Sequence, residues 1–499
     1  MRCRLDGVAV DGLAQRHVPS PPMSWPPFVR VLAALLLAGV LMPLGVADAQ
    51  EEAEDGRPEM MREPTSYVDV VDAFDDEDLF DLNITAGYLR TWELGRIERQ
   101  AADGIGDGRN SQHWDGVANY ERGINQLMLG LDVGIFRDLA VYARLPLILS
   151  DDRSLTAVSG FNPSTLETPS DGPLFDLTGG FNSPTRSGVD YLAVGLAWSI
   201  LNQNRDNTLP TWMVMVEGRF NLGDPMRACG GAGGALNCNY RQAPMPGVPE
   251  MPAPDPSRQS AGVGRGMNAL RIETRSSWRY EVVEPYAGLA FQIEWPGYSN
   301  SSFIPQGNLQ GYINELPPIT GRFTLGMAII PFEDREHFQR FSIDLRLNGD
   351  YVSEGHDYSP LFDALGSSAN AHLSRLSRSC SGPDCAPDGT IPFYGLTDTQ
   401  SHGRFGGQLT LEMVAARYIR FSVLAGFMYS PAYVITQADA CNPNVTPVDP
   451  PLGEDPRRGT CASGIINPHH RPVIDLPGTR FRMAEQWQVD LGINVTATF

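Results

Sequence analysis

Apolar and polar residues alternate along much of the chain, most regularly at its carboxy-terminal end. From Trp487 to Phe499, in the sequence WQVDLGINVTATF, every second residue is apolar and the residues between are small or polar. A period of two predicts a β-strand with one apolar and one polar face. Taken alone, this segment fits an edge strand of a soluble β-sandwich equally well. The rest of the chain must therefore decide what the apolar face meets.

The same alternation recurs in twelve segments. Most of them are longer than the average strand of a soluble protein, about 5–6 residues, and are long enough to cross a bilayer, which takes about 9–11. We predict strands at 82–92, 126–136, 138–149, 191–200, 211–222, 268–281, 284–295, 322–331, 339–351, 404–416, 418–432 and 481–499. The strand length favours a membrane protein over a sandwich.

The connections between these segments alternate between short and long. The short ones are 137–138, 201–210, 282–283, 332–338 and 417, and the long ones are 93–125, 150–190, 223–267, 296–321, 352–403 and 435–480. Outer-membrane barrels have short periplasmic turns and long extracellular loops. We therefore predict an all-β fold: a closed up-and-down antiparallel transmembrane β-barrel of about twelve strands, with fourteen as the alternative count.

The residues before the first strand have a different pattern. The apolar run 31–46 follows Arg30 and precedes Ala47-Asp48-Ala49, which predicts a secretory signal peptide cleaved after Ala49, with Met1 or Met23 as its start. Residues 50–81 are acidic and poor in aliphatic side chains, which predicts a solvated periplasmic lead-in with an optional short helix near 67–74. The predicted divisions are 1–49, 50–81 and a barrel at 82–499.

The charge and the cysteines narrow the possible partners. A formal net charge of −21 argues against a nucleic-acid partner. Six cysteines form three close pairs within long loops, and in an exported chain such pairs favour local disulfides. The pairs are Cys229/Cys238, Cys380/Cys385 and Cys441/Cys461. They lack CxxC spacing and a clear set of histidine partners, so we predict no metal site and no cofactor.

Charged residues of both signs fall on the polar faces of the predicted strands. The predicted lumen-lining residues are Asp132, Arg144, Glu217, Arg219, Arg271, Glu273, Arg275, Arg279, Asp344, Arg346, Glu412, Arg420 and Asp490. Such residues either form interior salt bridges that make the barrel rigid or line a charge-selective pore. The row Arg271, Arg275 and Arg279 is the best candidate for attracting anions, although Glu217, Asp344 and Glu412 could neutralise it.

Two resemblances follow from these segments. The last strand with its terminal Phe499 resembles the carboxy-terminal sorting signal of bacterial outer-membrane barrels. This resemblance implies localisation in the outer membrane, insertion by the outer-membrane assembly machinery, and contact with lipid and lipopolysaccharide. The segments VYARLPLILSD (141–151) and VEGRFNLGD (216–224) resemble strand ends of small-solute barrels of the aromatic-pathway transporter type. No binding residues are carried over from this second resemblance.

The expected function is a channel or facilitated transporter for an unidentified small solute. The first alternative is a non-conducting surface barrel whose disulfide-pinned loops bind a partner. The least favoured is an outer-membrane lipid hydrolase, which needs a histidine and a serine two residues apart on the outward wall. His372-Leu373-Ser374 has that spacing but lies in a long loop. We therefore predict that the protein is not an enzyme.

Overall fold

Twelve long antiparallel strands form the wall of the computed structural model, as the alternation predicts. The structure describes residues 65–73, 81–100, 113–168, 172–228, 236–237, 259–297, 303, 311–368, 370–373, 375–376, 390–391, 393–416, 418–445 and 461–499. The wall strands are β1 Leu82–Gln100, β2 Trp114–Phe136, β3 Leu139–Ala157, β4 Tyr191–Leu201, β5 Thr211–Asn221, β6 Met267–Ser277, β7 Val283–Pro296, β8 Thr320–Asp334, β9 Gln339–Val352, β10 His402–Ala416, β11 Ile419–Ser430 and β12 Phe481–Thr498.

The wall closes on itself because β1 pairs with both β2 and β12. The closing ladder runs from Asn83 opposite Thr498 to Arg99 opposite Phe481. At its end Leu82 and Phe499 exchange two backbone hydrogen bonds of 2.9 Å each. Closure removes the sheet edges, so the backbone groups of the wall find partners without water. The carboxy-terminal strand is thus the seam of the barrel.

Three of the short connections turn through a residue with unusual backbone geometry. Arg137, Glu281 and Phe338 have positive φ angles of 43°, 46° and 53°, and each lies in a short connection. Phe136 pairs with Leu139, so the β2–β3 loop has only two residues. Positive φ in a two-residue loop matches the twist of the flanking strands. The short-turn end of the barrel is therefore shaped by local backbone conformation.

Strands β1, β2 and β3 extend well beyond their predicted bounds of 92, 126 and 149. Their extra residues are rich in charge, so they do not show the apolar alternation of a lipid-facing strand. Arg122 of β2 binds Asp151 of β3 at 2.8 Å, and Arg153 binds the same carboxylate at 2.8 Å. Such pairs can hold a ladder together where the wall projects into water.

The remaining elements are short. The 3₁₀-helices are Ser66–Val68 and Pro163–Leu166, and the α-helices are Phe362–Gly366 and Pro472–Asp475. The short strands are Glu167–Thr168, Gly172–Pro173, Phe181–Asn182, Arg186–Val189, Leu236–Asn237, Gln259–Ser260, Gly355–Asp357, Arg375–Leu376, Thr390–Ile391, Thr397–Thr399, Tyr433–Val434, Cys441–Asn442 and Ile465–Ile466. Among the described residues, every helix is too short or too polar to cross a membrane.

Three long connections fold together into a layer that we call the cap, comprising the described residues of 158–190, 353–401 and 431–480. Its apolar side chains form a buried core with inward-facing residues at the long-loop ends of the strands. The core includes Leu166, Leu174, Leu361, Leu365, Leu373, Ile435 and Ile474 from the connections, and Ile97, Leu155 and Phe481 from the wall. Burial of this apolar surface stabilises the cap against the wall.

Candidate functional site

The inner face of the wall carries charged side chains that pair with one another. Close pairs are Asp132 with Arg144 at 2.6 Å, Glu217 with Arg219 at 2.7 Å and Asp344 with Arg346 at 2.8 Å. On β2, β5 and β9 these residues alternate with exposed apolar residues such as Leu131, Val216 and Leu345, so they point into the lumen. Pairing lowers the cost of holding charge in a confined space, and it stiffens the wall.

The predicted row of arginines is not a continuous cationic ladder. Glu273 lies between Arg271 and Arg275 and accepts a hydrogen bond of 2.6 Å from each. Arg279 lies beyond the end of β6 and binds Glu333 of β8 at 2.6 Å. The charge of this row is therefore balanced mainly by Glu273, which lies on the same strand, rather than by the facing carboxylates that the sequence suggested.

The other predicted lumen residues also have partners. Arg340 approaches Glu412 to 3.8 Å, and Thr91 donates a hydrogen bond of 2.6 Å to Asp490. Arg420 forms an ion pair with Asp69, which lies outside the wall strands. This last contact brings the amino-terminal segment into the lumen.

Residues 65–73 lie inside the barrel. The ring of Tyr67 packs at 4.9 Å, tilted by 33°, against Tyr286, which faces inward from β7, and Arg275 and Arg346 lie 4.5 Å and 4.6 Å from the Tyr67 ring centre. A side chain at Gly288 would place Cβ 1.8 Å from the Tyr67 hydroxyl. Glycine at position 288 is therefore what lets the segment approach the wall.

Acidic side chains also fix the inserted segment. Asp69 binds Arg420, Asp72 binds Arg205 at 3.3 Å, and Ala73 forms a bridge with Arg137 in the β2–β3 turn. The sequence predicts a solvated segment here, but Tyr67, Val68 and Asp72 are buried. The acidic residues look like surface residues in sequence because their arginine partners lie far away in the chain. The predicted boundaries 49/50 and 81/82 stay predictions.

A compact cluster of polar side chains lies in the cap. His356 Nδ1 is 2.6 Å from Asp398 Oδ1, and His469 Nδ1 is 3.6 Å from the same oxygen. The rings of His356 and His469 stack at 3.5 Å. Burial, together with His356 and Arg471, holds the pKa of His469 well below its usual value of 6.5. The sequence did not associate these residues, because each comes from a different part of the cap.

The outer face of the wall carries large apolar side chains in direct contact with the surroundings. Ile493 is 55% exposed and Leu347 is 62% exposed, while Asp490 and Arg346 on the same strands point inward. Such an exterior belongs in hydrocarbon, and a closed barrel is the β-structure that can lie there. The protein is a transmembrane β-barrel of the outer-membrane type. Barrels of this type have long extracellular loops and short periplasmic turns, and the two ends of this barrel are named accordingly.

Solved structures that are similar to this barrel have low sequence identity to it. An outer membrane channel from Pseudomonas putida F1 is 8% identical, with 84% of this chain and 96% of that chain covered and a TM-score of 0.34. The outer membrane protease OmpT from Escherichia coli is 7% identical (84% and 97%, TM-score 0.27), and a FadL homologue from Pseudomonas aeruginosa is 9% identical (90% and 93%, TM-score 0.27). No protein-family model and no curated protein sequence matches the chain.

The structure also places the predicted cysteines and the terminal residue. Cys441 and Cys461 form a disulfide, as predicted, with Cα atoms 5.7 Å apart. Cys229, Cys238, Cys380 and Cys385 lie outside the described residues, so their pairing stays a prediction. Phe499 ends the seam and stacks at 6.5 Å on Tyr418. Its role as a sorting signal stays a prediction.

A buried carboxyl in the cap predicts a pH dependence. Burial raises the pKa of Asp475 to about 8, above the value of about 3.9 in an unfolded chain. Its contribution to stability is therefore complete below the unfolded pKa and is lost as the pH rises through 8. Between pH 6.5 and 8 we expect the free energy required to open the cap to fall by about 1.5 kcal/mol. Hydrogen exchange at the amides of Ala438 and Arg471, which donate to this carboxylate, measures the loss.

The control for this pH dependence is Asp475→Asn, which removes the titrating group. We expect the opening free energy of this variant to be nearly flat over the same range. Below pH 6.5 the titration of His469 in the open state acts in the opposite direction, so the comparison is confined to the higher window. An equal slope in the variant and the natural protein would assign the effect to another group.

Proposed function

We infer that this barrel conducts small solutes across the outer membrane, and that residues 65–73 form a displaceable plug in its lumen. The observation that carries the inference is that a separate stretch of chain lies inside the wall. A barrel whose lumen was filled by its own wall side chains would leave no space for Tyr67 and its neighbours. The polar, charge-paired inner face also suits a water-filled path.

The contacts of the plug are of the kind that can be broken and re-formed. They include the ring contact with Tyr286, two cation–π contacts at Tyr67, a hydrogen bond of 2.5 Å from Arg275 to the Tyr67 carbonyl, ion pairs at Asp69 and Asp72, and the bridge between Ala73 and Arg137. Individual contacts of these kinds contribute about 0.5–2 kcal/mol each. Such a segment can leave the lumen without disturbing the backbone ladders of the wall.

Tyr67→Ala is expected to raise the open probability of single channels about tenfold. The substitution removes two cation–π contacts and the ring contact with Tyr286, a loss of at least about 1.4 kcal/mol from the plugged state, which corresponds to a factor of ten. The measurement is single-channel conductance of the refolded mature protein in a planar bilayer. If neither form conducts above the noise of the bilayer, the channel proposal is wrong.

A tethered plug provides the matched control. Ala73 and Arg137 pair as bridge partners, a geometry close to that of a disulfide. The double variant Ala73→Cys/Arg137→Cys is expected to conduct less when oxidised and to recover when reduced. The natural protein with the same reductant controls for its own cysteines. Equal conductance in both states would show that the path does not run past this segment.

We also propose that the barrel has no hydrolytic site on its lipid-facing wall. His372 belongs to the cap, and the adjacent Leu373 is buried in the cap core. Ser374 lies outside the described residues. A lipase assay on the refolded protein tests this proposal directly. We further propose insertion through the outer-membrane assembly machinery, with lipid and lipopolysaccharide around the wall.

A further inference from the structure

We propose that His356, Asp398 and His469 form a binding site for a divalent transition metal of the zinc type, which would pin the extracellular cap. The three residues converge from separate parts of the cap, and one potential ligand atom of each lies within 4.8 Å of the others. This site is independent of the proposed conduction, because its ligands belong to the cap and not to the plug.

The backbone brings the first two ligands together. Gly355–Asp357 and Thr397–Thr399 form a two-stranded antiparallel ribbon in which His356 lies directly opposite Asp398. The third ligand, His469, follows the short strand Ile465–Ile466, which pairs with Cys441–Asn442 next to the Cys441–Cys461 disulfide. Ladders and a covalent link therefore fix the elements that carry the ligands, which is the support a metal site needs.

The strongest sign of a missing ligand is at His469. Its side chain is only 9% exposed, and both of its ring nitrogens are buried without a hydrogen-bond partner. A buried polar atom left in this state costs about 1–3 kcal/mol. A metal ion between His469 and Asp398 would satisfy one of these nitrogens. Hydrogen bonding does not explain the position of this ring, whereas metal coordination does.

The environment also supports the carboxylate as a ligand. Asp398 is 1% exposed, and its second oxygen accepts a hydrogen bond of 2.8 Å from Asn314 Nδ2. A ligating carboxylate held by such an outer hydrogen bond is usual at metal sites. The rings of Phe303 and Tyr312 pack against His356 and His469 at 5.3 Å and 4.4 Å. These aromatic walls limit the access of water.

The donor set determines the class of metal. Two imidazoles and one carboxylate suit zinc and its neighbours, whereas calcium and magnesium prefer oxygen ligands alone. Zinc bonds of about 2.0–2.2 Å place tetrahedral ligand atoms roughly 3.4 Å apart, between the observed separations of 2.6 Å and 3.6 Å. Because the two imidazole rings are stacked, they must rotate apart so that both lone pairs point to one centre. Binding through Nδ1 of His356 requires the neutral ring with its proton on Nε2, so the contact of Nδ1 with Asp398 would be replaced by bonds from both groups to the metal.

Zinc binding to the refolded, metal-stripped mature protein tests the site. We expect one ion per chain by equilibrium dialysis, and at least tenfold weaker binding in His469→Gln and in Asp398→Asn. The matched control is His337→Gln, which alters an exposed His–Asp pair in a periplasmic turn and is expected to leave the affinity unchanged. Equal affinity in His469→Gln and the natural protein, or loss of binding in His337→Gln alone, would overturn the proposal.

A second measurement needs no variant and therefore does not depend on the folding of one. X-ray absorption of the zinc-loaded natural protein is expected to show two imidazole ligands and one carboxylate. Zinc should also slow cleavage of the cap by trypsin while leaving the heat-dependent gel mobility of the barrel unchanged. A zinc coordination shell with fewer than two imidazoles, or no binding at 100-fold molar excess of zinc, would contradict the site.

Discussion

Replacing Ile493 with arginine is expected to lower the free energy of unfolding in a lipid bilayer by about 2–4 kcal/mol. Ile493 points outward, is 55% exposed and lies midway between Trp487 and Phe499, two aromatic residues on the outer face of the barrel seam. A guanidinium at this depth must either lose its hydration or draw water into the hydrocarbon. Denaturant titration of the protein refolded into phospholipid vesicles measures the change.

The matched control places the same residue on the other face of the same strand. Gln488 points into the lumen, where its amide donates to Asp490 and its register partner on β1 is Glu93. The guanidinium introduced by Gln488→Arg would therefore lie near two carboxylates. This substitution is expected to change the unfolding free energy by less than about 1 kcal/mol. If the two variants were equally destabilised, the outer face of β12 would not lie in lipid.

The contrast between these neighbouring positions also explains why the wall could be predicted from sequence. A strand in a closed barrel has one face toward lipid and one toward the lumen, so apolar and polar residues alternate along it. This local pattern is enough to predict the strand. All twelve predicted strands are present. The predicted bounds of β1, β2 and β3 are too short. Residues such as Arg122 and Asp151 lie where the wall extends beyond the lipid, and there a strand need not alternate apolar with polar residues.

The plug and the cap could not be predicted in the same way, because their partners are distant in sequence. Asp69 and Asp72 resemble solvated surface acids until Arg420 and Arg205 are brought beside them. One signal was present: the valines at 68, 70 and 71 are an apolar group that a solvated linker does not need. The His356–Asp398–His469 cluster has no spacing motif, since its members meet only after the loops fold.

A buried ion pair in the cap ties two of its connections together. Arg186 and Asp363 are 0% and 4% exposed, and their two hydrogen bonds measure 2.6 Å and 3.1 Å. Arg186 begins a short strand that pairs with β3, whereas Asp363 lies in the helix Phe362–Gly366. The pair therefore joins the β3–β4 connection to the β9–β10 connection across the core of the cap.

Arg186→Met is expected to destabilise the cap by about 3–5 kcal/mol, because Asp363 would be left buried without its counter-charge. Hydrogen exchange at Leu365 and Ser367, whose amides bond within this helix, reports the loss locally.

The double variant Arg186→Met/Asp363→Leu removes both charges and is expected to recover much of the stability, since apolar residues of similar size often replace a buried pair without loss. A double variant less stable than Arg186→Met would instead mean that Asp363 has other essential partners. Unchanged exchange in Arg186→Met would show that the pair does not hold the two connections together.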